Sequence, residues 1–206
     1  MSKTTFLAIV VFLCITLLVI VQKNKSVSHD VVLKESSVVL AFGDSLTYGF
    51  GAKYDLSYPK HMERKTGLTI INAGVNGEFS SEGLIRLPNL LEEHNPDVVI
   101  LCHGGNDILN KLSSSELKSN LLSMIKLIKQ NDIEVLLIGV PDFSLFSFDT
   151  HDIYKEVADE TNVLFEDDVL TDIELDRSLK SDYVHPNEKG YEMMADAFIK
   201  ILKVNN

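Results

Sequence analysis

The chain has few of the residues that mark disulfide-bonded or metal-binding proteins. Its 206 residues include two cysteines and no tryptophan. Cys14 lies in an apolar run near the N-terminus and Cys102 lies in a predicted strand, so neither a disulfide framework nor a thiolate metal site is expected. No spacing of His, Asp and Glu indicates a metal site either. We therefore expect no metal and no cofactor.

Positive charge is also scarce. The chain carries 19 Lys and Arg against 30 Asp and Glu, a net charge of −11. Nucleic-acid binding depends on clustered Lys and Arg, which this sequence lacks, so that class of function is excluded. The acidic residues are spread along the chain, which favours solubility and indicates no protein partner. No repeat or low-complexity segment is present.

A long apolar run occurs only near the N-terminus. Residues 4–21 are apolar or weakly polar, and they lie between Lys3 and the polar residues 22–25. The run is somewhat short for a spanning helix of ~20 residues and long for a signal-peptide core of ~7–15. Both interpretations stay open, and we favour an uncleaved anchor. Either one predicts a cell-envelope location on the periplasmic or extracellular side, with the protein membrane-anchored or secreted. The predicted organisation is residues 1–25 as this segment, 26–36 as a linker and 37–206 as one domain.

Within that domain, strands and helices alternate. The predicted strands are residues 37–42, 68–72, 97–102, 133–140 and 163–165, and the main predicted helices are 59–65, 80–94, one beginning at 113, 151–160 and 187–204. The strands are continuous apolar runs, which is typical of a parallel sheet covered on both faces. We therefore predict an α/β fold, a three-layer α/β/α sandwich with a central, mostly parallel five-stranded sheet. Pro88 should kink or split its helix.

Three glycine-containing loops follow predicted strands. They are Gly43-Asp44-Ser45, the loop from Gly74 to Gly77, and His103-Gly104-Gly105-Asn106-Asp107. Ligands of parallel α/β sheets bind outside the carboxyl ends of the strands, so these loops should meet at one edge. A serine at a strand-to-helix turn is well placed to act as a nucleophile. The alternative is that Ser45 or Asp44 only caps a helix.

A second constellation lies near the C-terminus, in Asp182-Tyr183-Val184-His185-Pro186. Asp and His three residues apart can lie on the same side of one turn. The carboxylate can then bind one imidazole nitrogen and leave the other to activate a hydroxyl. The alternative is a helix start, with Pro186 at the first helical position and Asp182 as a surface charge.

Together these motifs resemble the SGNH, or GDSL-type, esterase/lipase family. Its blocks occur here in order as Gly43-Asp44-Ser45-Leu46, Asn72-Ala73-Gly74-Val75-Asn76-Gly77-Glu78, Gly104-Gly105-Asn106-Asp107 and Asp182-x-x-His185-Pro186. The resemblance covers residues 38–201 and is greatest to the small bacterial thioesterase/lysophospholipase/arylesterase branch. It implies a flavodoxin-like SGNH fold and a hydrolase domain at 37–206.

The resemblance also implies roles for individual residues. Ser45 would be the nucleophile, His185 the base and Asp182 its orienting carboxylate. The oxyanion hole would comprise the backbone N–H groups of Ser45 and Gly77 and the side chain of Asn106, with Gly74 as a competing loop donor.

Two further sets of residues lie near the expected site. The Phe-rich stretch after the fourth strand offers Phe143 and Phe146 as substrate contacts, with ordinary core or lid packing as the alternative. His103 is a rival base by position, but no neighbouring acid flanks it at a useful spacing, which favours a hydrogen-bonded strand-end histidine.

We therefore expect a serine esterase acting on carboxylic esters, including lipid esters or thioesters. One alternative is an O-acetylesterase, or acetyl transfer, on cell-envelope polysaccharide. Another is a non-catalytic, membrane-anchored binding module with the same fold.

Overall fold

The structure is a computed structural model that describes residues 31–143 and 149–204. The described residues belong to one compact unit that begins at Val31. The predicted N-terminal anchor or signal peptide and Phe146 lie outside the described residues. Within the described ranges, no helix is both long enough and apolar enough to cross a membrane.

Five parallel strands form the central sheet, as predicted. They are β1 (Val38–Gly43), β2 (Thr69–Gly74), β3 (Val98–Cys102), β4 (Glu134–Ile138) and β5 (Leu164–Glu166). Their order across the sheet is β2-β1-β3-β4-β5, and every neighbouring pair runs parallel. Strand β3 is buried along its whole length, and the neighbouring strands β1 and β4 are buried beyond their first residue. Continuous apolar runs were the correct signal, because both faces of these strands are covered.

Helices lie on both faces of the sheet. They are α1 (Ser45–Tyr48), α2 (Tyr58–Thr66), α3 (Ser80–His94), α4 (Gly105–Leu109), α5 (Ser114–Gln130), α6 (Asp152–Thr161), α7 (Val169–Leu175) and α8 (Glu188–Leu202). Helices α2, α7 and α8 pack together on one face, and α3, α5 and α6 pack together on the other. The three-layer prediction is confirmed.

The helix boundaries follow local sequence signals. Helix α5 begins after Ser113, whose hydroxyl accepts a hydrogen bond from the Glu116 N–H, as the capping-box spacing predicts. Helix α3 was expected to be kinked or split at Pro88, and it is not split: it runs unbroken from Ser80 to His94. Pro88 lies on the exposed side of the helix, where water can bind the carbonyl that the missing N–H would have bound.

Two glycines end neighbouring strands in register, Gly43 on β1 and Gly74 on β2. A Cβ atom on Gly43 would lie 2.0 Å from the Cys102 carbonyl oxygen, and one on Gly74 would lie 2.1 Å from the Tyr48 backbone nitrogen. Both contacts are with backbone atoms, which cannot rotate away. The close approach of backbone at this edge of the sheet therefore requires glycine at both positions.

Candidate active site

The strand order reverses direction between β1 and β3, which are adjacent in the sheet. The chain leaves β1 and crosses to β2 on one side, and later strands are added on the other side. A crevice forms at such a switch point, outside the carboxyl ends of the two strands. Strand β1 leads into Ser45, and β3 leads into the loop that carries Asn106.

Ser45 is the first residue of the short helix α1. The capping residue is Asp44, whose Oδ1 accepts a hydrogen bond from the Leu46 N–H at 3.0 Å. Asp44 is buried, and burial raises its pKa, although the hydrogen bond from the Leu46 N–H opposes the shift. Because Asp44 is the cap, the Ser45 hydroxyl is left for other partners.

That hydroxyl meets His185, which lies 140 residues further along the chain. The Ser45 Oγ is 3.0 Å from the His185 Nε2. The other imidazole nitrogen, Nδ1, is 2.8 Å from Oδ2 of Asp182 and 3.0 Å from its Oδ1. The structure therefore brings together the serine, the histidine and the aspartate that the sequence predicted, in one chain of hydrogen bonds.

The loop from Asp182 to His185 is held by hydrogen bonds between the Asp182 side chain and the backbone of the same loop. Oδ1 of Asp182 accepts hydrogen bonds from the N–H groups of Val184 at 2.9 Å and His185 at 2.8 Å. Partial burial raises the pKa of Asp182, but the hydrogen bonds from the His185 backbone, the His185 ring and the Val184 backbone outweigh it, so the net shift is downward. The following helix, α8, begins at Glu188 after an Asn187 cap, so Pro186 is not its first residue.

Besides Ser45, the proposed oxyanion donors are Gly77, on the loop after β2, and Asn106, on α4. Gly77 has φ = +76° and an exposed backbone, and Asn106 lies on α4 with its side chain in the crevice. The Asn106 Nδ2 donates to the Glu78 carbonyl at 3.0 Å, which fixes the amide beside Gly77. The competing donor Gly74 ends β2, and its N–H donates to Oδ1 of Asn72 at 3.0 Å. That N–H is therefore occupied.

A small cavity of about 70 Å³ opens beside Ser45. Its polar wall contains the side chains of Asn106 and His185, and its apolar wall comprises Leu46, Leu109, Phe143 and Val184. Phe143 has φ = +49°, a left-handed backbone conformation that is uncommon for a bulky residue. The prediction that Phe143 lies at the site agrees with this geometry, whereas Phe146 lies outside the described residues.

Comparison with known proteins identifies the family. Residues 41–193 match the model of the GDSL-like Lipase/Acylhydrolase family. The chain belongs to this family. It is an ester-hydrolysing enzyme with an SGNH hydrolase fold.

Relatives of this GDSL-like enzyme include proteins named as esterases. It is 30% identical over 174 residues to an arylesterase of Vibrio mimicus, covering 78% of this chain and 86% of that protein. It is 26% identical over 175 residues to thioesterase 1/protease 1/lysophospholipase L1 of Escherichia coli K12, covering 82% and 84%. Among solved structures, the psychrotrophic esterase EstA from Pseudoalteromonas sp., inhibited by monoethylphosphonate, shares the fold with a TM-score of 0.72 at 24% identity, covering 82% and 97% of the two chains. The SGNH-hydrolase family esterase AlinE4 gives a TM-score of 0.60 at 30% identity, covering 82% and 95%.

Two contacts of the GDSL-like enzyme's site were missed from the sequence. The ring of Phe50 packs against the His185 imidazole, with 4.6 Å between centroids and 49° between planes. His103 does have an acidic partner, because its Nε2 lies 3.0 Å from Oε2 of Glu78, 25 residues earlier in the chain. Glu78 is the last residue of the motif block that contains Gly77. Its position next to Gly77 in the sequence could have indicated that it lies near the site.

Proposed function

We propose that this enzyme hydrolyses carboxylic esters through an acyl-enzyme formed on Ser45. The observation that carries the proposal is the continuous hydrogen-bonded chain from the Ser45 Oγ through His185 to Asp182, with distances of 3.0 and 2.8 Å. A serine hydroxyl is a weak nucleophile until a base removes its proton, and an imidazole oriented by a carboxylate is such a base. Aryl esters, thioesters and lipid esters are the candidate substrates.

In this mechanism, the Ser45 Oγ attacks the ester carbonyl carbon as His185 Nε2 takes the hydroxyl proton. The bond to the leaving alcohol or thiol then breaks, and His185 returns the proton to that leaving group. Water attacks the acyl-enzyme by the same proton route and releases the acid. Asp182 keeps the second proton on Nδ1 and stabilises the imidazolium that forms in each half-reaction.

The developing oxyanion would be stabilised by three neutral donors. These are the backbone N–H groups of Ser45 and Gly77 and the side-chain amide of Asn106. The N–H of Ser45 is at the first position of α1, where no intrahelical acceptor exists. Among the described residues, the second N–H of Asn106 has only a weak contact, with Oδ2 of Asp44 at 3.5 Å, which an oxyanion would replace.

The size of the cavity bears on the acyl group. Its volume of about 70 Å³ is well below the roughly 300–1,000 Å³ of sites for drug-sized ligands, which favours short acyl chains. The same observation supports, as a second candidate, an O-acetylesterase acting on cell-envelope polysaccharide. The apolar run at residues 4–21 supports a location in the cell envelope.

The test is hydrolysis of nitrophenyl esters from acetyl to dodecanoyl by the full chain, beside Ser45→Ala. Ser119→Ala is the matched control, because Ser119 is exposed on α5 and does not line the cavity. We expect activity that is greatest on short chains, is lost in Ser45→Ala and is kept in Ser119→Ala.

Two outcomes would contradict the proposal. Hydrolysis retained by Ser45→Ala would show that Ser45 is not the nucleophile. No hydrolysis of any ester, together with no labelling of Ser45 by a nitrophenyl alkylphosphonate, would favour the non-catalytic binding module.

A further inference from the structure

His103 is fully buried at the carboxyl end of β3. Its Nδ1 accepts a hydrogen bond from the Gly104 N–H at 3.1 Å. An N–H can only donate, so Nδ1 carries no proton and the proton of the neutral ring lies on Nε2. Nε2 lies 3.0 Å from Oε2 of Glu78, so His103 donates to that carboxylate. With both ring nitrogens engaged and no exposed surface, His103 is not a second base for the reaction.

Glu78 is the centre of a buried cluster of charged and polar groups. Arg86 binds both of its carboxylate oxygens, through Nε at 2.8 Å and through a terminal nitrogen at 2.6 Å. Burial raises the pKa of Glu78, but the hydrogen bonds from His103 and Arg86 outweigh it and lower the pKa to about 2. Glu78 is therefore an ionised carboxylate held by two different side chains. Charge-assisted hydrogen bonds of this kind are among the stronger ones.

The backbone of Glu78 connects this cluster to the crevice. Glu78 directly follows Gly77, and its own N–H donates to the Val75 carbonyl at 3.3 Å, so Glu78 closes the turn that contains the Gly77 N–H. Its carbonyl also accepts the hydrogen bond from the Asn106 side chain at 3.0 Å. One N–H of the amide is held in this way, and the other is left for the reacting carbonyl. The positions of the two proposed oxyanion donors Gly77 and Asn106 therefore both depend on the position of Glu78.

Neighbouring groups hold His103 itself in place. A Cβ atom on Gly83 of α3 would lie 2.3 Å from the His103 Nε2, so the ring packs directly against a helix position without a side chain. The Tyr154 hydroxyl donates to the His103 carbonyl at 2.8 Å, and the Phe42 ring lies 5.6 Å away between centroids. The imidazole is therefore closely packed against Gly83 and Phe42, and its Nε2 faces the Glu78 carboxylate.

We propose that His103 is a positioning residue of the oxyanion hole, acting through Glu78 on Gly77 and Asn106. The inference rests on the proposed function, because Gly77 and Asn106 act as oxyanion donors only if the enzyme hydrolyses esters through Ser45. Transition-state stabilisation by such donors requires that they be held in place before the reaction. Loss of the His103 hydrogen bond would leave the Glu78 carboxylate held by Arg86 alone.

The test compares His103→Leu with His103→Gln. Leucine fills a similar volume without a donor, whereas glutamine keeps a side-chain N–H for Glu78. On a short-chain nitrophenyl ester we expect His103→Leu to lower kcat by about 10-fold or more with little change in KM, since loss of a whole donor typically costs ~10²–10³-fold. We expect His103→Gln to restore much of that loss.

The control is His61→Leu, which removes another buried histidine, located on α2, and should keep the wild-type kcat. A second measurement separates positioning from simple destabilisation. If His103 acts through the hole, His103→Leu should lower kcat less in an Asn106→Ala background than in the wild type.

Three outcomes would overturn the inference: a wild-type kcat in His103→Leu, an equal loss in the Asn106→Ala background, or no recovery in His103→Gln. Each can occur while Ser45→Ala is inactive, so each would contradict only the role of His103. Retained activity in Ser45→Ala would instead contradict the proposed function.

Discussion

The aromatic ring of Phe50 lies against the imidazole of His185, with 4.6 Å between the two centroids. Phe50 is on the loop between Gly49 and Gly51, both with positive φ, and its carbonyl accepts a hydrogen bond from the Tyr191 hydroxyl at 2.7 Å. The loop is thereby tied to α8, close to where the His185 loop ends. The imidazole of His185, the proposed base, is thus supported on one side by a residue from the loop that follows α1.

We predict that Phe50→Leu lowers kcat on nitrophenyl acetate by roughly 2–5-fold. An aromatic face stabilises a nearby cation by about 0.5–1 kcal/mol at exposed sites, and His185 becomes an imidazolium in the transition state. Phe50→Tyr keeps the ring and should keep the rate. Tyr54→Leu is the control, because Tyr54 is an exposed aromatic that packs on Tyr48 instead. Equal rates for Phe50→Leu and the wild type would show that the ring does not assist His185.

We predict that Asp182→Asn lowers kcat by roughly 10²–10⁴-fold with little effect on folding. Oδ1 accepts two backbone N–H groups, so the asparagine oxygen should take that place and turn its amide nitrogen toward Nδ1. The amide would donate to Nδ1 and force the imidazole proton onto Nε2, where it faces Ser45. That tautomer cannot accept the hydroxyl proton. Steady-state kinetics beside thermal unfolding checks this, and an unchanged kcat would remove Asp182 from the mechanism.

We predict that Phe143→Ala changes the acyl-chain preference. Phe143 forms part of the apolar wall of the cavity beside Ser45, and its truncation enlarges the space for the acyl group. The ratio of kcat/KM for octanoyl over acetyl esters should rise by about 10-fold, within the 1–3 kcal/mol that a hydrophobic pocket discriminates. Leu112→Ala serves as the control, because Leu112 is exposed and does not line the cavity. The same ratio in both variants would exclude Phe143 from the acyl site.

We predict that Glu166→Gln stabilises the protein increasingly as the pH rises from about 4.5 to above 7. Burial raises the pKa of Glu166 from 4.5 to about 7, although hydrogen bonds from the Val169 and Asp168 backbones oppose the shift. Its Oε2 is buried without a partner among the described residues. The unfolded chain ionises first as pH rises, so the wild type loses stability between pH 4.5 and about 7, by up to about 3 kcal/mol. Glutamine mimics the protonated acid and removes this loss.

Urea unfolding of both proteins at pH 4.5 and pH 8.5 measures the effect. The advantage of Glu166→Gln in the free energy of unfolding should be larger at pH 8.5. If the free energies of unfolding of the two proteins differ by the same amount at pH 4.5 and pH 8.5, the pKa of Glu166 is not raised in the folded protein.

Much of the sheet, and the pairing of Asp182 with His185, could be predicted because their signals are local. Apolar runs marked the strands, and Asp182 and His185 are three residues apart, within one turn. The pairing of His103 with Glu78 could not be predicted in this way. It joins the ends of β2 and β3, which lie on opposite sides of β1, so no sequence spacing records it.

Two other features depend on surroundings that the sequence does not show. The contact between Phe50 and His185 requires the path of a loop with two left-handed glycines. The continuity of α3 through Pro88 depends on which side of the helix faces water, and of the two outcomes expected there, a kink or a split, the split was wrong.

The glycines that end β1 and β2 also affect how mutational scans of this enzyme should be interpreted. Any side chain at Gly43 or Gly74 would collide with the backbone of a neighbouring segment. Substitutions there should therefore abolish activity as completely as substitutions at the nucleophile, although neither glycine has a group that reacts. A mutational scan would therefore find more intolerant positions around the site than the residues that take part in the reaction. Only a readout of protein abundance beside activity would separate the residues that react from the residues that let two strands meet.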